Sequence, residues 1–398
     1  QAMIYLQKYG IATTLAAKIY QYYGQKIYRV LEENPYQMAD HIQGIGFKTA
    51  DEIATRIGLH SDSDFRIRSG LLYTLQQSMS EGHVYLVKEK LLQRTAQLLE
   101  IELSDIEKYI MDLAMEKKVI LKEGEDGLRV YTSHFYYMEL NTAKMLHDLN
   151  LHYDEADIVI ERRISQIEKN TGFVLDEMQK RAVMSAMKNG ILILTGGPGT
   201  GKTTTINAMI HYFQSEGMEL LLAAPTGRAA KRMTEATGYE AQTIHRLLEV
   251  SGNPEDENAK SGFLRNEENP LETDVIIIDE MSMVDLPLMH ALLRAVLPGT
   301  RLVLVGDGNQ LPSVGAGNVL YELIESKVVP IAELVTVYRQ KAGSTIAVNC
   351  ARIKRGNTDL EFSDTFMFQE VDSEEKAVEM VLKAYDAELA KGLTADEI

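Results

Sequence analysis

The chain has very little cysteine and no long apolar run, and both absences limit the kind of protein it can be. Cys350 is the only cysteine among 398 residues, so no disulfide can form within the chain. No stretch stays apolar over the roughly 20 residues that a membrane helix needs, and no signal-like segment is present. These absences favour a protein that works in a reducing cytoplasm.

Positive charge is also scarce, which at first argues against a nucleic-acid partner. The formal net charge is −17, from 41 basic and 58 acidic residues. The acidic residues are concentrated in two segments. Residues 361–398 hold eleven acidic and three basic side chains, and residues 249–273 hold seven acidic and two basic side chains. Residues 1–60 carry five acidic and six basic groups. A DNA-binding region near the start of the chain is therefore not repelled by its own charge.

Residues 196–203 read Gly-Gly-Pro-Gly-Thr-Gly-Lys-Thr, with a strand-like segment before them and a helix-like segment after them. This is the pattern of a phosphate-binding loop. Its glycines let backbone N–H groups close around the β-phosphate, Lys202 reaches the β- and γ-phosphates, and Thr203 offers a hydroxyl to Mg²⁺. The pattern therefore predicts a site for ATP and Mg²⁺. The predicted nucleotide-binding residues are Gly197, Pro198, Gly199, Thr200, Gly201, Lys202, Thr203 and Thr204.

Two further apolar segments end in polar residues. Residues 274–280 read Asp-Val-Ile-Ile-Ile-Asp-Glu, which is typical of a buried parallel strand that delivers acids to the carboxyl edge of a sheet. Asp279 is predicted to hold Mg²⁺ and Glu280 to polarise a water, which favours hydrolysis over phosphotransfer. Residues 301–310 end in Gln310, a candidate to sense the γ-phosphate.

Strands at 191–195, 275–279 and 302–305, with helices between them, specify the fold class. They predict an α/β domain with a parallel sheet and a site at its carboxyl edge.

Seven segments occur in a fixed order along the chain: Gln179 with Ala182-Val183, then 196–203, 224–233, 243–247, 279–282, 306–315 and 337–340. This order resembles the motif series of the superfamily 1 helicases, and within them the RecD/TraA group. The resemblance implies a RecA-like motor domain and an ATP-dependent DNA helicase that moves 5′ to 3′ on one strand, in DNA repair or recombination. It also implies that Gln179 reads adenine and that Arg339 touches the γ-phosphate.

The same resemblance implies that segments 224–233 and 243–247 grip single-stranded DNA. By chemistry alone this question stays open. Thr226, Arg228 and the basic residues after them begin a helix, where their donors could meet a phosphate backbone, but a basic helix start is as often a solvated face. His245 lies between apolar neighbours, where a histidine is usually structural. The DNA-binding roles of Thr226, Arg228 and His245 therefore follow from the resemblance.

The first 62 residues carry an independent signal. Residues 43–53, Gln-Gly-Ile-Gly-Phe-Lys-Thr-Ala-Asp-Glu-Ile, resemble a helix-hairpin-helix motif, in which a Gly-Ile-Gly turn presents backbone N–H groups to a DNA phosphate. Gly44, Gly46 and Lys48 are the candidate DNA-binding residues. Residues 10–19 repeat the pattern at an offset of 34, with Ala12 in place of the second glycine. The first copy is therefore as well explained as a packing partner, and ordinary helical hairpins remain an alternative for both.

The stretch from 63 to 150 is predicted to be mostly helical. A capping-box pattern at 104–107 predicts a helix that runs to about Lys118, and strands are expected at 119–122 and 128–132. Helices followed by a small hairpin favour a winged-helix-like module. Because the turn between its strands is acidic, we interpret the module as a spacer.

Together these signals predict four regions: a tandem helix-hairpin-helix at 1–62, a helical, winged-helix-like module at 63–150, a RecA-like first motor domain at 151–360 and the truncated start of a second motor domain at 361–398. Residues 249–273 form an insertion in the motor, interpreted as a strand-separating subdomain or a plain surface loop. The last region is expected to contain a strand at 366–371 and a helix at 374–389. Since no later helicase motif occurs, the sequence is interpreted as a fragment that does not unwind DNA by itself.

Two alternatives to a helicase remain open at this point. One is a P-loop nucleotide-binding switch or loader of another class, and the other is a DNA-binding module with a regulatory nucleotide site. A switch GTPase would need an N-K-x-D segment to read its base, and none occurs in the sequence. The motif series around Gln310 and Arg339 favours the helicase. Its expected partner is DNA, both single-stranded and at junctions or duplex ends, and its expected location is the bacterial cytoplasm, in association with the nucleoid.

Overall fold

The computed structural model of the protein describes residues 2–8, 11–42, 44–58, 63–172, 174–251, 262–336 and 344–395. Contacts along the chain divide it into two compact units, residues 1–335 and 336–398. The helices of the first unit are α1 (Ala2–Lys8), α2 (Thr13–Tyr23), α3 (Ile27–Glu33), α4 (Gln37–His41), α5 (Phe47–Ile57), α6 (Asp64–Ser80), α7 (Lys88–Leu99), α8 (Glu107–Met115), α9 (Ser133–Leu149), α10 (Asp157–Thr171), α11 (Glu177–Lys188), α12 (Lys202–Ser215), α13 (Gly227–Thr237), α14 (Ile244–Leu247), α15 (Leu286–Arg294) and α16 (Val319–Ser326).

The strands among the described residues of the first unit form three sheets, the largest of which has six strands. The strands are β1 (Tyr85–Val87), β2 (Val119–Gly124), β3 (Gly127–Thr132), β4 (Ile191–Gly196), β5 (Leu220–Ala224), β6 (Ala241–Thr243), β7 (Val250–Ser251), β8 (Gly262–Phe263), β9 (Val275–Ile278), β10 (Arg301–Gly306) and β11 (Ile331–Leu334).

The large sheet confirms the predicted α/β fold. Its strand order is β11-β4-β10-β9-β5-β6, and every pairing in it is parallel. The three predicted strands are β4, β10 and β9, which lie side by side and are almost wholly buried. Their carboxyl ends therefore meet at one edge of the sheet, where the predicted site residues follow. Separate apolar cores cover the two faces of this sheet.

The two edge strands were not predicted. β6 has only half-buried residues, and β11 buries only Leu334. Neither strand has the continuous apolar run that identifies a central parallel strand. Their pairing with β5 and β4 comes from tertiary packing, which sequence periodicity does not record.

The predicted repeat is visible in the N-terminal helices. At the offset of 34, Ile11 matches Ile45, Ala16 matches Ala50 and Ile19 matches Ile53, and all six side chains are buried. The glycines that end α2 and α5, Gly24 and Gly58, both have positive φ angles of 55° and 87°. Two helical units with the same buried positions therefore follow one another, although Gly10 itself lies outside the described residues.

The predicted hairpin in the next region is β2 and β3, to which β1 adds a third, antiparallel strand. The predicted helix start at Ser104 is wrong. Residues Leu103–Asp105 form a 3₁₀ turn, and α8 begins at Glu107 with no side-chain cap. The helix also ends at Met115 rather than near Lys118, since Lys117 takes a left-handed conformation (φ 58°) that turns the chain into β2.

One apolar core runs from the first helix to the three-stranded sheet, so packing shows no break at residue 62. Leu6, Ile53, Leu71 and Val130 belong to the same buried cluster. Packing also continues past residue 150, because α9 carries Leu146 and Leu149 into the core of the six-stranded sheet. The boundaries at 62 and 150 therefore do not coincide with gaps in packing, and the four-region division stays a prediction.

The second unit contains α17 (Thr345–Lys354) and α18 (Glu374–Ala390). The helix predicted at 374–389 is thus confirmed. The strand predicted at 366–371 is wrong, because only an isolated bridge between Ser363 and Phe366 forms there. Apolar residues alone do not make a strand when no neighbouring strand pairs with them. Within the described residues, none of the helices in the protein combines the length and apolarity needed to cross a membrane.

Candidate nucleotide and nucleic-acid sites

The glycine-rich loop joins β4 to α12 and has a backbone that requires glycine. Gly199 and Gly201 have φ angles of 77° and 86°, in the left-handed region. A Cβ atom at Gly196 would lie 2.7 Å from the carbonyl oxygen of Leu334. Thr200 is buried and donates its hydroxyl to the Gly197 carbonyl at 2.9 Å, which closes the turn. The loop is thus folded tightly against the sheet edge, directly before a helix N-terminus.

Lys202 is the first residue of α12, and its ammonium group lies over the loop. Nζ donates hydrogen bonds to the carbonyl oxygens of Gly196 at 2.5 Å and Gly197 at 3.2 Å. The positive end of the helix dipole and this ammonium group therefore both give a positive electrostatic potential at the loop, which suits a phosphate anion. Thr203 follows and is exposed, whereas Thr204 is half-buried and Pro198 is exposed at the tip of the loop.

Gln179 lies beside this loop and is 3% exposed. Its Oε1 accepts from the Asp176 N–H at 3.0 Å, in a capping box that begins α11, and its Nε2 donates to the Gly201 carbonyl at 3.4 Å. One amide hydrogen and one lone pair of Oε1 remain for a further partner. The structure therefore places Gln179 at the loop, and the reading of adenine stays a prediction.

Two carboxylates, those of Asp279 and Glu280, directly follow β9. Asp279 Oδ1 accepts from the Glu280 N–H at 2.8 Å. Burial raises the pKa of Asp279 above its ordinary value. The Glu280 N–H opposes this rise, the Glu280 carboxylate adds to it, and the positive charges of Lys202 and Arg232 oppose it, so that the pKa stays raised. Glu280 has a left-handed backbone, with φ 54° and ψ 42°, which is rare for a residue with a side chain. Its carboxylate lies 3.9 Å from Nη1 of Arg232, on α13.

Asp307, at the end of β10, was missed as a site residue. It is 5% exposed, and its Oδ1 accepts from the backbone N–H of Asn309 at 3.0 Å and from Asn309 Nδ2 at 3.2 Å. The Asp307 carbonyl accepts from the Gln310 N–H at 3.1 Å, so this acid orders the turn that carries the exposed Gln310 side chain. An acid directly after an apolar strand, as at Asp279, was the signal that could have identified it.

Thr203 and Asp279 carry oxygen ligands of the kind that Mg²⁺ takes at nucleotide sites, and their role in holding the ion stays a prediction. The described part of the chain has no group of three or more His, Cys, Asp or Glu side chains that could hold a metal ion.

A groove of about 410 Å³ lies on the same unit and is lined by two of the predicted DNA-binding residues, Thr226 and His245. Thr226 accepts the Ala229 N–H at 3.2 Å and caps α13, and the exposed His245 ring lies 5.8 Å from the Phe263 ring. Arg228 is exposed in the first turn of α13. Residues of the groove include Thr226, His245, Phe263, Met283, Ser313 and Val314. Phe263, Met283 and Val314 were not predicted, because isolated apolar residues outside long helices and strands carry no periodic signal.

The predicted phosphate-binding turn of the second helical hairpin is open to solvent. Gly44 has a φ of 94°, and Gly46 caps α5 with an extended backbone. A Cβ atom at either glycine would meet nothing within 4 Å. Lys48 is exposed in the first turn of α5. The remaining predicted site residue, Arg339, lies outside the described residues.

Replacing Gly46 by valine is expected to weaken DNA binding to a similar degree on every sequence, because the turn offers backbone N–H groups and reads no base. The turn has room for the side chain, so the fold is retained while the branched side chain screens the amides. Fluorescence anisotropy with unrelated duplexes at several salt concentrations measures the effect. Ala12→Val, at the equivalent position of the first unit, is the matched control. Unchanged affinity for every DNA would assign the tandem unit to protein packing.

Comparisons with known proteins agree with this arrangement. Residues 179–316 match the family model described as an AAA domain, and residues 1–85 match the model described as the ATP-dependent RecD2 DNA helicase HHH domain. The chain is 32% identical over 355 residues to the ATP-dependent RecD2 DNA helicase of Deinococcus radiodurans, covering 86% of this chain and 47% of that protein. It is 37% identical over 223 residues to the RecBCD enzyme subunit RecD of Haemophilus influenzae, covering 50% and 33%.

A solved structure, the Pif1 helicase from Candida albicans, aligns with a TM-score of 0.37 at 21% identity, over 56% of each chain. The chain spans 47% of the length of the Deinococcus protein and 33% of the Haemophilus subunit.

Proposed function

Because the chain belongs to the RecD-type superfamily 1 helicases, we propose that it carries the ATP-hydrolysing site and part of the DNA track of an ATP-dependent DNA helicase. The observation that carries this proposal is the meeting of three strand ends at one sheet edge. Lys202 follows β4, Asp279 and Glu280 follow β9, and Gln310 follows β10, and these three strands are direct neighbours. A loop for phosphate, an acid for a cation and an acid for water therefore lie together.

In the proposed mechanism, loop amides and Lys202 hold the β- and γ-phosphates of ATP. Mg²⁺, when bound through Thr203 and Asp279, would neutralise charge that develops on the phosphates. Glu280 orients and polarises the attacking water, and Gln310 contacts the γ-phosphate side of the site. Water is the acceptor of the phosphoryl group, since the acid next to the cation site favours hydrolysis.

DNA is proposed to bind in the groove lined by Thr226 and His245 and at the turn containing Gly44 and Gly46. The groove offers a threonine hydroxyl, a histidine and an aromatic ring, which suit phosphate and stacked bases of a single strand. The helical hairpin offers backbone N–H groups to the phosphates of a duplex. Single-stranded DNA next to a duplex end is therefore the proposed substrate.

Other features of this proposal depend on the family alone. They are movement from 5′ to 3′, a role in repair or recombination, the reading of adenine by Gln179 and the γ-phosphate contact of Arg339. A reducing cytoplasm is the proposed location, because the chain contains a single cysteine.

The proposal is tested by steady-state ATPase measurements on the full-length protein, with and without single-stranded oligo(dT). A helicase motor is expected to hydrolyse ATP faster when the oligonucleotide is present. A rate of ATP hydrolysis that does not change when DNA is added would support a switch or loader instead. DNA binding with no hydrolysis under either condition would support a DNA-binding module whose nucleotide site is regulatory.

A further inference from the structure

One ion pair joins the carboxylate proposed to activate water with the helix proposed to contact DNA. Nη1 of Arg232 lies 3.9 Å from Oε1 of Glu280. Arg232 is on α13, and Glu280 follows the central strand β9. Arg232 lies in segment 224–233, which the resemblance assigns to single-stranded DNA, and a contact with Glu280 is no part of that assignment.

The position of Arg232 on its helix connects the two sites. α13 begins at its cap, Thr226, which lines the groove. Arg228 lies in the first turn, and Arg232 is four residues later, so the two guanidinium groups share one face of the helix. A DNA backbone that runs along the start of α13 therefore comes within one helical turn of Arg232.

The two partners differ in their freedom to move. The Arg232 side chain is 67% exposed, whereas that of Glu280 is 26% exposed. Glu280 is also held by its left-handed backbone and by the hydrogen bond from its N–H to Asp279. Exposed ion pairs of this kind are weak and form and break readily. The arginine is thus the member of the pair that can leave for a different anion.

A guanidinium group beside Glu280 opposes the work proposed for that carboxylate. A water-polarising carboxylate needs its oxygen lone pairs directed at the water, and a cation draws the same oxygen toward itself. DNA phosphates are strong competitors for an exposed arginine, because they supply several anionic oxygens and release counterions on binding.

We propose that Arg232 is a positioning residue that holds Glu280 back until DNA binds, and that a DNA phosphate takes over its guanidinium and releases Glu280 for hydrolysis. This inference rests on the proposed function and deepens it by naming a residue through which DNA raises the rate of hydrolysis. Restraint of Glu280 makes ATP consumption depend on DNA.

The test compares the steady-state ATPase of the full-length wild type with Arg232→Ala and Arg232→Lys, with and without saturating oligo(dT). For Arg232→Ala, the kcat without DNA is expected to rise about two- to fivefold, which is the scale of an exposed ion pair. The KM for ATP stays the same, and the stimulation by oligo(dT) falls by the same factor. Arg232→Lys keeps the charge and is expected to restore much of the wild-type dependence on DNA.

Glu235→Gln is the matched control, since it breaks another exposed ion pair of α13, Lys231–Glu235 at 3.8 Å, without touching Glu280. It is expected to behave like the wild type. If DNA stimulates the wild type but the kcat of Arg232→Ala without DNA is unchanged or lower, this inference alone is overturned. A wild type that DNA does not stimulate would overturn the proposed function and this inference with it. Should Arg232→Ala lower the melting temperature, Arg232→Gln and Arg232→Lys provide the same comparison.

Discussion

Glu280→Gln is expected to bind ATP with nearly wild-type affinity and to lose hydrolysis, by roughly 10²- to 10⁴-fold in kcat, the usual contribution of a general base. Glutamine has the shape of glutamate but cannot polarise water as a carboxylate does. The loop and Lys202, which are proposed to hold the phosphates, belong to a different chain segment from Glu280. The substitution also keeps the main-chain hydrogen bond to Asp279, because that bond uses the backbone N–H.

Two measurements on the full-length protein check this expectation. Binding of a fluorescent ATP analogue gives the affinity, and release of inorganic phosphate gives the rate. Glu235→Gln, which replaces an exposed glutamate of α13, serves as the control for the loss of one negative charge. A Glu280→Gln variant that hydrolyses ATP at the wild-type rate would remove Glu280 from the mechanism.

Lys202→Ala is expected to act on binding as well as on turnover. Hydrogen bonds to charged groups contribute about 1.5–3 kcal/mol each, so nucleotide affinity should fall by about 10- to 100-fold or more. DNA affinity should stay close to that of the wild type, because Thr226, His245 and Gly44 belong to other segments than the phosphate loop. The same nucleotide titration, together with DNA anisotropy, measures both quantities.

Lys169→Ala removes an exposed lysine at the end of α10 and controls for the loss of one positive charge. Nucleotide affinity retained in Lys202→Ala would contradict the assignment of the loop. An equal loss of affinity in Lys202→Ala and Glu280→Gln would contradict the separate roles of the two residues.

The centre of the motor fold could be predicted from the sequence because its physical signals are local. β4, β9 and β10 are buried on both faces, so their sequences are continuous apolar runs. The loop requires glycine at Gly199 and Gly201, where the backbone is left-handed. Strand ends in a parallel sheet meet at one edge, so the order of the motifs was enough to bring Lys202 and Glu280 together.

Other features depend on contacts between distant segments, and sequence patterns do not record them. The groove takes Phe263 from β8 and Val314 from the loop after β10. The ion pair between Arg232 and Glu280 joins residues 48 positions apart, and nothing in either local sequence indicates it. The edge strands β6 and β11 form because a neighbouring strand is present, not because their own residues demand it.

The helix start predicted at Ser104 failed for a similar reason. Serine followed three residues later by glutamate has the pattern of a capping box, but Ile106 is completely buried in the N-terminal core. Anchoring of Ile106 fixes the backbone as a 3₁₀ turn before α8. Tertiary packing overrode a local preference there.

The packing of the N-terminal region on the motor limits how the protein can be cut into working pieces. The Gly317 N–H donates to the Gly82 carbonyl at 3.0 Å, and Val84, Phe135 and Met138 cover one face of the motor core. A truncation that starts at residue 151 would leave that face bare and prone to aggregation. Biochemists who want an isolated ATPase core should therefore keep α9, whose Leu146 and Leu149 belong to the core of the six-stranded sheet.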